Sequence, residues 1–503
     1  MHAVEVAAPA GPATATADAA TEAGARHRYR VEEVNRALTR AVGRPRTVLD
    51  VGCGIGLNGA WARRNGARVT GLELAPTALA AARTRLEEVL AVDIRDPAAL
   101  ARALAGRKFD VLFFGDVLEH LVDPGAVLRS LLPYLEDGGH VLVSVPNVAA
   151  WPVRLELLRG RFRYTESGIL DETHLRFFTR ETLTDLVGRA GLEVLRLEHN
   201  PMLVRAAKDL ILRWLPEGGA AEPTALSQSL AYKLYELAVR PLEDVVLRLA
   251  PDLLSFQHVV VARKPPRRGR LGLTVGLLTM DEEESVARMI AEVRSHAPDA
   301  EILCVDSSTK DRTPDIARSL GARVLRQVPP RGHGPAMELL MYEAARQSEL
   351  LIYLDCDFTY PPSYIPIVRR LVEEEGADVV NCCRTRTRPA AMPVPNYLAN
   401  RAFAALAHAL HGVPTVDVHS GMRAYRTSVI RAFDFVGDGD ALPIDTLLYP
   451  AKSGYRVVEM PIDYDERVGV SKLRKLAGTV WTFARLAGAY RIGGHGAARF
   501  ERR

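Results

Sequence analysis

Leu350-Leu351-Ile352-Tyr353-Leu354-Asp355-Cys356-Asp357 is an apolar run that stops at two carboxylates. A short run of this kind reads as a buried strand. Side chains alternate faces along a strand, so Asp355 and Asp357 are expected on one face and Cys356 on the other. Two like charges at a buried strand end repel unless a cation joins them, and hard oxygen ligands suit Mg²⁺ or Mn²⁺. Such an ion would neutralise a diphosphate leaving group. Taken alone, the pair also reads as two solvated acids capping a strand, so the surrounding chain decides.

The chain has 503 residues and a net charge of +4, with 48% hydrophobic and 25% charged residues. This is ordinary globular composition, and the length suggests about three domains or two large ones. So small a net charge gives no argument for a nucleic-acid partner. The five cysteines are an odd number without C-x-x-C spacing. They point to thiols in a reducing cytoplasm rather than a disulfide frame or a zinc site. The adjacent Cys382 and Cys383 sit in an apolar run and read as core. No uninterrupted apolar run approaches the ~18 residues that span a bilayer. Residues 1–26, mostly Ala, Thr, Pro and Gly, read as a disordered tail rather than a secretory signal. The expected location is cytoplasmic.

Order is expected from near His27, with a helix through Arg40. Thr47-Val48-Leu49-Asp50-Val51-Gly52-Cys53-Gly54-Ile55-Gly56 is then a strand breaking into alternating glycines, which let the backbone turn tightly against a ligand. Further strands, Arg68–Glu73, Glu88–Asp93, Phe109–Phe114 and Gly139–Val145, alternate with helical segments. That is the pattern of a doubly wound parallel sheet. Gly54, Gly56 and Gly59 also satisfy a dinucleotide spacing, with Glu73 as the ribose acid. Asp50, however, would oppose a pyrophosphate, whereas the sulfonium and amino group of S-adenosylmethionine are positive. Glu73 would then hold the ribose hydroxyls and Asp93 the adenine amine, with Ile94 beside it.

Asp50 to Gly56, Glu73, Asp93 and Asp116-Val117-Leu118-Glu119-His120-Leu121 resemble the class I S-adenosylmethionine-dependent methyltransferases. The likeness continues through Pro146-Asn147, Thr173-His174-Leu175-Arg176-Phe177-Phe178-Thr179 and a last strand, Phe256–Arg263. It implies a cofactor site of Asp50, Gly52, Gly54, Gly56, Glu73, Asp93, Ile94 and Asp116. The acceptor is left open. Such enzymes work mainly by positioning, sometimes with a general base. His120 and His174 are the candidate bases, each with a packing or loop-bracing alternative. Thr179 is expected to cap a helix from Arg180 that Gly191 ends. Residues 201–251 read as a helical insert: a lid, a packing element, or a membrane or partner contact.

After a basic linker at 265–270, which reads as a solvated hinge with phospholipid contact as the alternative, a second α/β pattern begins. Leu273–Leu278 is a strand, Thr279-Met280-Asp281-Glu282-Glu283-Glu284 is expected to open a helix with acids in its first turn, and Glu301–Val305 ends at Asp306. A loop at Arg331-Gly332-His333-Gly334 and a helix to Ala345 precede the Asp355 strand. With Asp417-Val418-His419-Ser420-Gly421-Met422-Arg423-Ala424-Tyr425, Gly454–Ile462 and Arg467–Leu473, these pieces resemble the family-2 glycosyltransferases. Within that family they are similar to the dolichol- and polyprenyl-phosphate hexose synthases. The resemblance implies a GT-A fold, a UDP- or GDP-hexose donor and a lipid-phosphate, glycan or metabolite acceptor. Thr279, Glu282, Asp306 and Gly334 would bind nucleotide, and Asp355 and Asp357 the metal. Arg423, Arg467 and Lys472 would orient phosphates, with Asp417 or His419 as base if the acceptor is a hydroxyl.

The expected fold class is therefore α/β, two doubly wound domains: a Rossmann-like methyltransferase sheet at 27–264 and a GT-A sheet at 271–473. Residues 474–503 form a basic segment in which Leu476, Val480, Phe483 and Ala487 follow helical spacing. Such a helix can lie on the inner face of a membrane, pack on the catalytic domain or form a dimer contact.

Overall fold

The computed structural model describes residues 34–41, 45–202, 247, 249–385, 388–433, 435–437, 442–466, 475–488 and 500–502. The tail at 1–26, most of the insert at 201–251, Arg467 and Lys472 lie outside these residues. The chain divides into two compact units, the first running in the main to Val260 and the second from Val261.

The first sheet has seven strands: β1 (Thr47–Val51), β2 (Arg68–Leu72), β3 (Glu88–Leu90), β4 (Phe109–Gly115), β5 (Leu135–Pro146), β6 (Glu193–Pro201) and β7 (Ser255–Arg263). Their order is β3-β2-β1-β4-β5-β7-β6. β1 runs parallel to both β2 and β4, with Val51 opposite Leu72 and Phe114. Val48, Leu49 and Val51 are fully buried, as a strand covered on both faces requires. The parallel crossovers gather the C-terminal ends of β1, β2 and β4 at one edge, where open α/β sheets bind ligands. The helix Arg180–Arg189 begins as expected: Thr179 accepts from the Thr182 amide, and the Thr182 hydroxyl accepts from the Thr179 amide. Gly191, at φ 87°, follows its end. β6 is an element the sequence reading did not anticipate.

The second sheet has eight strands: β8 (Leu273–Thr279), β9 (Glu301–Asp306), β10 (Arg323–Arg326), β11 (Leu350–Asp355), β12 (Val379–Cys383), β13 (Met422–Arg426), β14 (Val457–Pro461) and β15 (Phe500–Arg502). The order is β10-β9-β8-β11-β13-β12-β14-β15. β8, β9 and β11 are mutually parallel along the sheet, whereas β13 is antiparallel to β11, with Leu354 opposite Met422. The start of β13 therefore lies beside the end of β11. The core packs Val275, Leu277, Ile352 and Leu354 against Met289, Ile290, Ile365 and Val368. All five cysteines are buried and none forms a disulfide, Cys382 and Cys383 lying in β12.

Two local expectations change. The helix after β8 starts at Val286, not at the acids. Asp281 takes a left-handed turn (φ 51°), and Glu282 and Glu283 lie in the loop it creates. In the basic linker, Arg267 pairs with Glu349 and Arg270 with Asp299, so part of that charge run is tied down rather than simply solvated.

Candidate active sites

In the first unit, Gly52, Gly54 and Gly56 all have positive φ (63°, 54° and 82°), the region that L side chains avoid. A Cβ on Gly52 would stand 2.8 Å from Val117, so the loop depends on the missing side chain. Glu73, at the end of β2, accepts from the Gly54 amide at 2.9 Å and from the Leu74 and Ala75 amides at 2.7 and 2.8 Å. That fixes its carboxylate against the glycine loop. Asp116, at φ 58° past β4, accepts from Ser144 Oγ at 2.9 Å and Gln257 Nε2 at 2.6 Å. Asp93 is half-buried beside the half-buried Ile94, and Arg95 grips its carboxylate at 2.7 and 2.8 Å and holds its pKa below the usual value.

Asp50 differs from expectation. Its side chain is buried and accepts from the Gly59 amide at 3.0 Å, near the start of the helix Leu57–Arg64. Burial pushes its pKa up to about 7, against that hydrogen bond. It braces the loop onto the helix instead of presenting a charge to a ligand. The main-chain loop and Glu73 remain as a cradle suited to an amino acid and a ribose.

His120 and His174 come together, ring centroids 4.9 Å apart. Nδ1 of His120 meets the Thr173 carbonyl at 3.2 Å, and Nδ1 of His174 meets the Ile169 carbonyl at 3.0 Å. Directly before His120 in sequence stands Glu119. It is 1% exposed, and neither carboxylate oxygen has a hydrogen-bond partner among the described residues. Burial, then the nearby charge of Asp116, pushes its pKa well above the usual carboxylate range.

In the second unit, Asp355 ends β11 and Asp357 lies two residues on in a turn, so strand alternation does not govern the pair. Phe358, at φ 62°, continues that turn, and Asp357 accepts from the Thr359 amide and hydroxyl at 3.1 and 2.5 Å. Asp355 donates its amide to the Gly421 carbonyl, and a Cβ on Gly421 would fall 2.2 Å from Asp355 Oδ2. The glycine of the Ser420-Gly421 step is what leaves room for this carboxylate. The oxygen-only donors of Asp355 and Asp357 fit a hard divalent cation.

Asp306, closing β9, is fully buried and takes Thr279 Oγ1 at 2.7 Å, Ser308 Oγ at 2.7 Å and Arg326 Nη1 at 2.7 Å. This corrects its role and that of Thr279: both side chains are spent shaping the loop after β9. Asp281 accepts from the Thr309 and Lys310 amides, and the Glu282 amide donates to Thr313, so the two loops are stitched together. Glu282 is half-buried there. Gly334 lies buried in the first turn of the helix His333–Gln347, which begins earlier than expected. A cavity of about 400 Å³ opens nearby, lined by Arg326, Gln327, Arg331, Glu338 and Tyr342.

Three further expectations are overturned by burial. Arg423 is fully buried and donates to Asn381 Oδ1 at 2.6 Å, the Val418 carbonyl at 2.9 Å and the Pro443 carbonyl. It knits β13 to its neighbours and is not turned to a phosphate. Asp417 is fully buried and held by Arg384 at 2.8 and 3.0 Å, with the His419 amide at 3.1 Å. Burial would raise its pKa, but the Arg384 charge and hydrogen bonds outweigh this and hold it below the usual range, which suits a brace and not a base. His419 bonds Thr482 at 2.9 Å through Nε2, and burial lowers its pKa to about 4. Arg384 and Glu459 were not singled out in the sequence. Glu459 accepts from Thr415, Val416 and Asn381 and so holds the loop leading to Asp417.

A family model for a methyltransferase domain matches residues 24–197, and one for glycosyl transferase family 2 matches 274–433. A dolichyl-phosphate hexose transferase of Haloferax volcanii is 39% identical over 207 residues, 41% of this chain and 88% of that protein. The chain belongs to glycosyl transferase family 2, fused to a methyltransferase domain. An undecaprenyl-phosphate mannosyltransferase of Micrococcus luteus is 29% identical over 210 residues, 39% of this fusion and 84% of that enzyme. For the other half, a ubiquinone biosynthesis O-methyltransferase of Cereibacter sphaeroides is 34% identical over 149 residues, 29% of the fusion. The fusion spans only 60% of that relative's length. The first sheet is thus the Rossmann-like methyltransferase sheet and the second a GT-A sheet, and the fusion is an enzyme of both transferase classes.

Proposed function

We propose that the chain is a bifunctional transferase built from modules at about 27–264 and 271–473. The first transfers a methyl group from S-adenosylmethionine to a hydroxyl of a sugar, lipid or metabolite. The second moves a hexose, with inversion, from a UDP- or GDP-hexose to a polyprenyl phosphate, with a divalent cation held by Asp355 and Asp357. The observation carrying this reading is the meeting of the ends of β8, β9 and β11 with Gly421, which gives the Asp355 carboxylate its place.

When bound, the cation would supply positive charge to the departing diphosphate. The chain's own contribution is position. The loops around Asp281 and Asp306 are cross-tied and would face the nucleotide without reorganising, which favours preorganised stabilisation of developing charge. Arg467 and Lys472 are assigned to the phosphates, as charge-assisted donors. Withdrawal of Asp417 and His419 into structural bonds favours a phosphate acceptor, whose oxygen is already anionic and needs no base. The names of the two polyprenyl-type relatives support the same acceptor class. In the methyltransferase half, the glycine loop would take the methionine moiety, Glu73 the ribose and Asp93 the adenine amine.

No helix among the described residues is long and apolar enough to cross a membrane. Peripheral contact is part of the proposal. Val480, Trp481 and Phe483 on the helix Lys475–Gly488 and Leu398 on the helix Val394–His411 are exposed, while Thr482 and Leu486 turn inward. The apolar spacing of Val480 and Phe483 therefore marks an outer face. The test is incubation with labelled UDP- and GDP-hexoses, S-adenosylmethionine and a panel of polyprenyl phosphates and soluble glycans. Label in the lipid fraction supports the reading, and transfer confined to soluble glycans overturns the acceptor assignment.

A further inference from the structure

Glu119, His120 and His174 each offer one ligand atom, and these atoms lie within 4.8 Å of one another. Donors around one ion at about 2.0–2.2 Å stand roughly 3–4 Å apart, so small side-chain rotations suffice to close the set. Two independent features show that the cluster is built. A buried carboxylate ordinarily finds hydrogen-bond donors, yet both oxygens of Glu119 lack them among the described residues. And a carbonyl oxygen only accepts, so the contacts of the Thr173 and Ile169 carbonyls put the proton on Nδ1 of each histidine. A backbone carbonyl at one ring nitrogen is the support that metal-bound histidines usually have.

The frame is fixed as well. The amides of Leu175 and Arg176 donate to the Glu119 carbonyl at 2.8 and 3.0 Å, pinning the His174 segment to the turn Leu118–His120. Asp171, itself buried, accepts from the Thr173 amide and hydroxyl at 2.8 and 2.6 Å and holds the same segment from behind.

We propose that Glu119, His120 and His174 bind one divalent first-row cation of the Zn²⁺ or Mn²⁺ class, with positions left open for an acceptor oxygen. Two imidazoles and one carboxylate suit such an ion better than Mg²⁺. The site follows β4 directly, three residues past Asp116, at the edge that carries the glycine loop. Its chemical use rests on the methyl-transfer reading above. A coordinated hydroxyl has a lowered pKa and gives its proton to solvent. The oxygen lone pair then forms the O–CH₃ bond while the C–S bond breaks with its electron pair passing to sulfur, leaving S-adenosylhomocysteine. His120 and His174 are ligands in this scheme and not bases.

The test uses the full-length protein carrying Asp357→Asn, which disables the other candidate cation site, titrated with Co²⁺ and followed by visible absorption. One equivalent of Co²⁺ should give a band that Zn²⁺ displaces. Either His120→Ala or His174→Ala should weaken uptake by ~100-fold or more, while calorimetric S-adenosylmethionine binding persists as evidence of folding. Co²⁺ uptake that is absent, or equal in the parent and both histidine variants, overturns the site. Histidine-dependent Co²⁺ uptake in a protein that transfers no methyl group would uphold the site and refute the methyl-transfer reading instead.

Discussion

Asp417→Asn separates a brace from a base. Asp417 is fully buried, and its two oxygens take Arg384 Nε and Nη2 at 2.8 and 3.0 Å. The Arg384 side chain is itself only 11% exposed and lies over the Tyr360 and Tyr464 rings at 5.5 and 5.4 Å. Removing the carboxylate charge leaves a buried guanidinium without its counter-ion, a loss of about 3–5 kcal/mol. In a domain of this size each kcal/mol moves the midpoint by about 2–4 °C, so the glycosyltransferase transition should fall by roughly 6–20 °C. Calorimetry on the full chain reads this, with S-adenosylmethionine binding as the control for the first unit. Well below the new midpoint, hexose transfer should stay within about tenfold of the parent, because a lost general base would cost ~10²–10⁴-fold. An Asn variant that melts like the parent yet loses transfer by ~10³-fold would refute the reasoning and restore Asp417 as the base.

Gly421→Ala should push a methyl into Asp355 Oδ2 and the Tyr360 ring, which lie 2.2 and 2.7 Å from the built Cβ. Mn²⁺-dependent nucleotide-sugar binding, measured by calorimetry, is expected to fall at least ~10-fold while the fold survives. Gly54→Val, at φ 54°, should abolish S-adenosylmethionine binding and leave hexose transfer within a few-fold, as parallel assays of both activities would report. The His419 pKa, lowered to about 4 by burial, lies below the ~6.5 of an unfolded chain. The unfolded state then takes up the proton first, so this residue contributes stability above pH ~6.5 that is lost as pH falls toward 4. Melting of His419→Gln should accordingly show a shallower decline than the parent between pH 7 and 4.5. Finally, Val480→Glu with Phe483→Glu should reduce flotation with anionic liposomes at low salt, and unchanged flotation would argue against that face as the membrane contact.

Much of the architecture was legible because strands at the centres of both sheets carry apolar runs, as in Val111–Phe114 or Leu350–Leu354. β6 was not, because Arg196 and Glu198 break its pattern. They are buried together as an ion pair at 3.1 Å, which a hydrophobicity reading scores as surface. The first glycine loop was readable from φ requirements alone. The acids after β8 were misplaced because a single left-handed residue, Asp281, delays the helix.

Site roles failed where burial decides them. Asp50, Asp306, Asp417 and Arg423 stand in positions that motif spacing marks for ligands, and burial closes each; Asp306, Asp417 and Arg423 have partners 20 to 42 residues away. Arg384 lies 33 residues from Asp417, and nothing local announces the pair. Glu119 was overlooked for the opposite reason, since its unpaired carboxylate exists only once the His174 segment folds over it.

The central claim is a cation held by Asp355 and Asp357 in a hexose transferase acting on a lipid phosphate. Its most direct measurement is Mn²⁺-dependent transfer of labelled hexose to polyprenyl phosphate by the full chain and by Asp357→Asn. The account predicts lipid-linked label that disappears on chelation and falls by ~10²-fold or more in the variant, with S-adenosylmethionine binding intact. Transfer that survives both chelation and Asp357→Asn would contradict it.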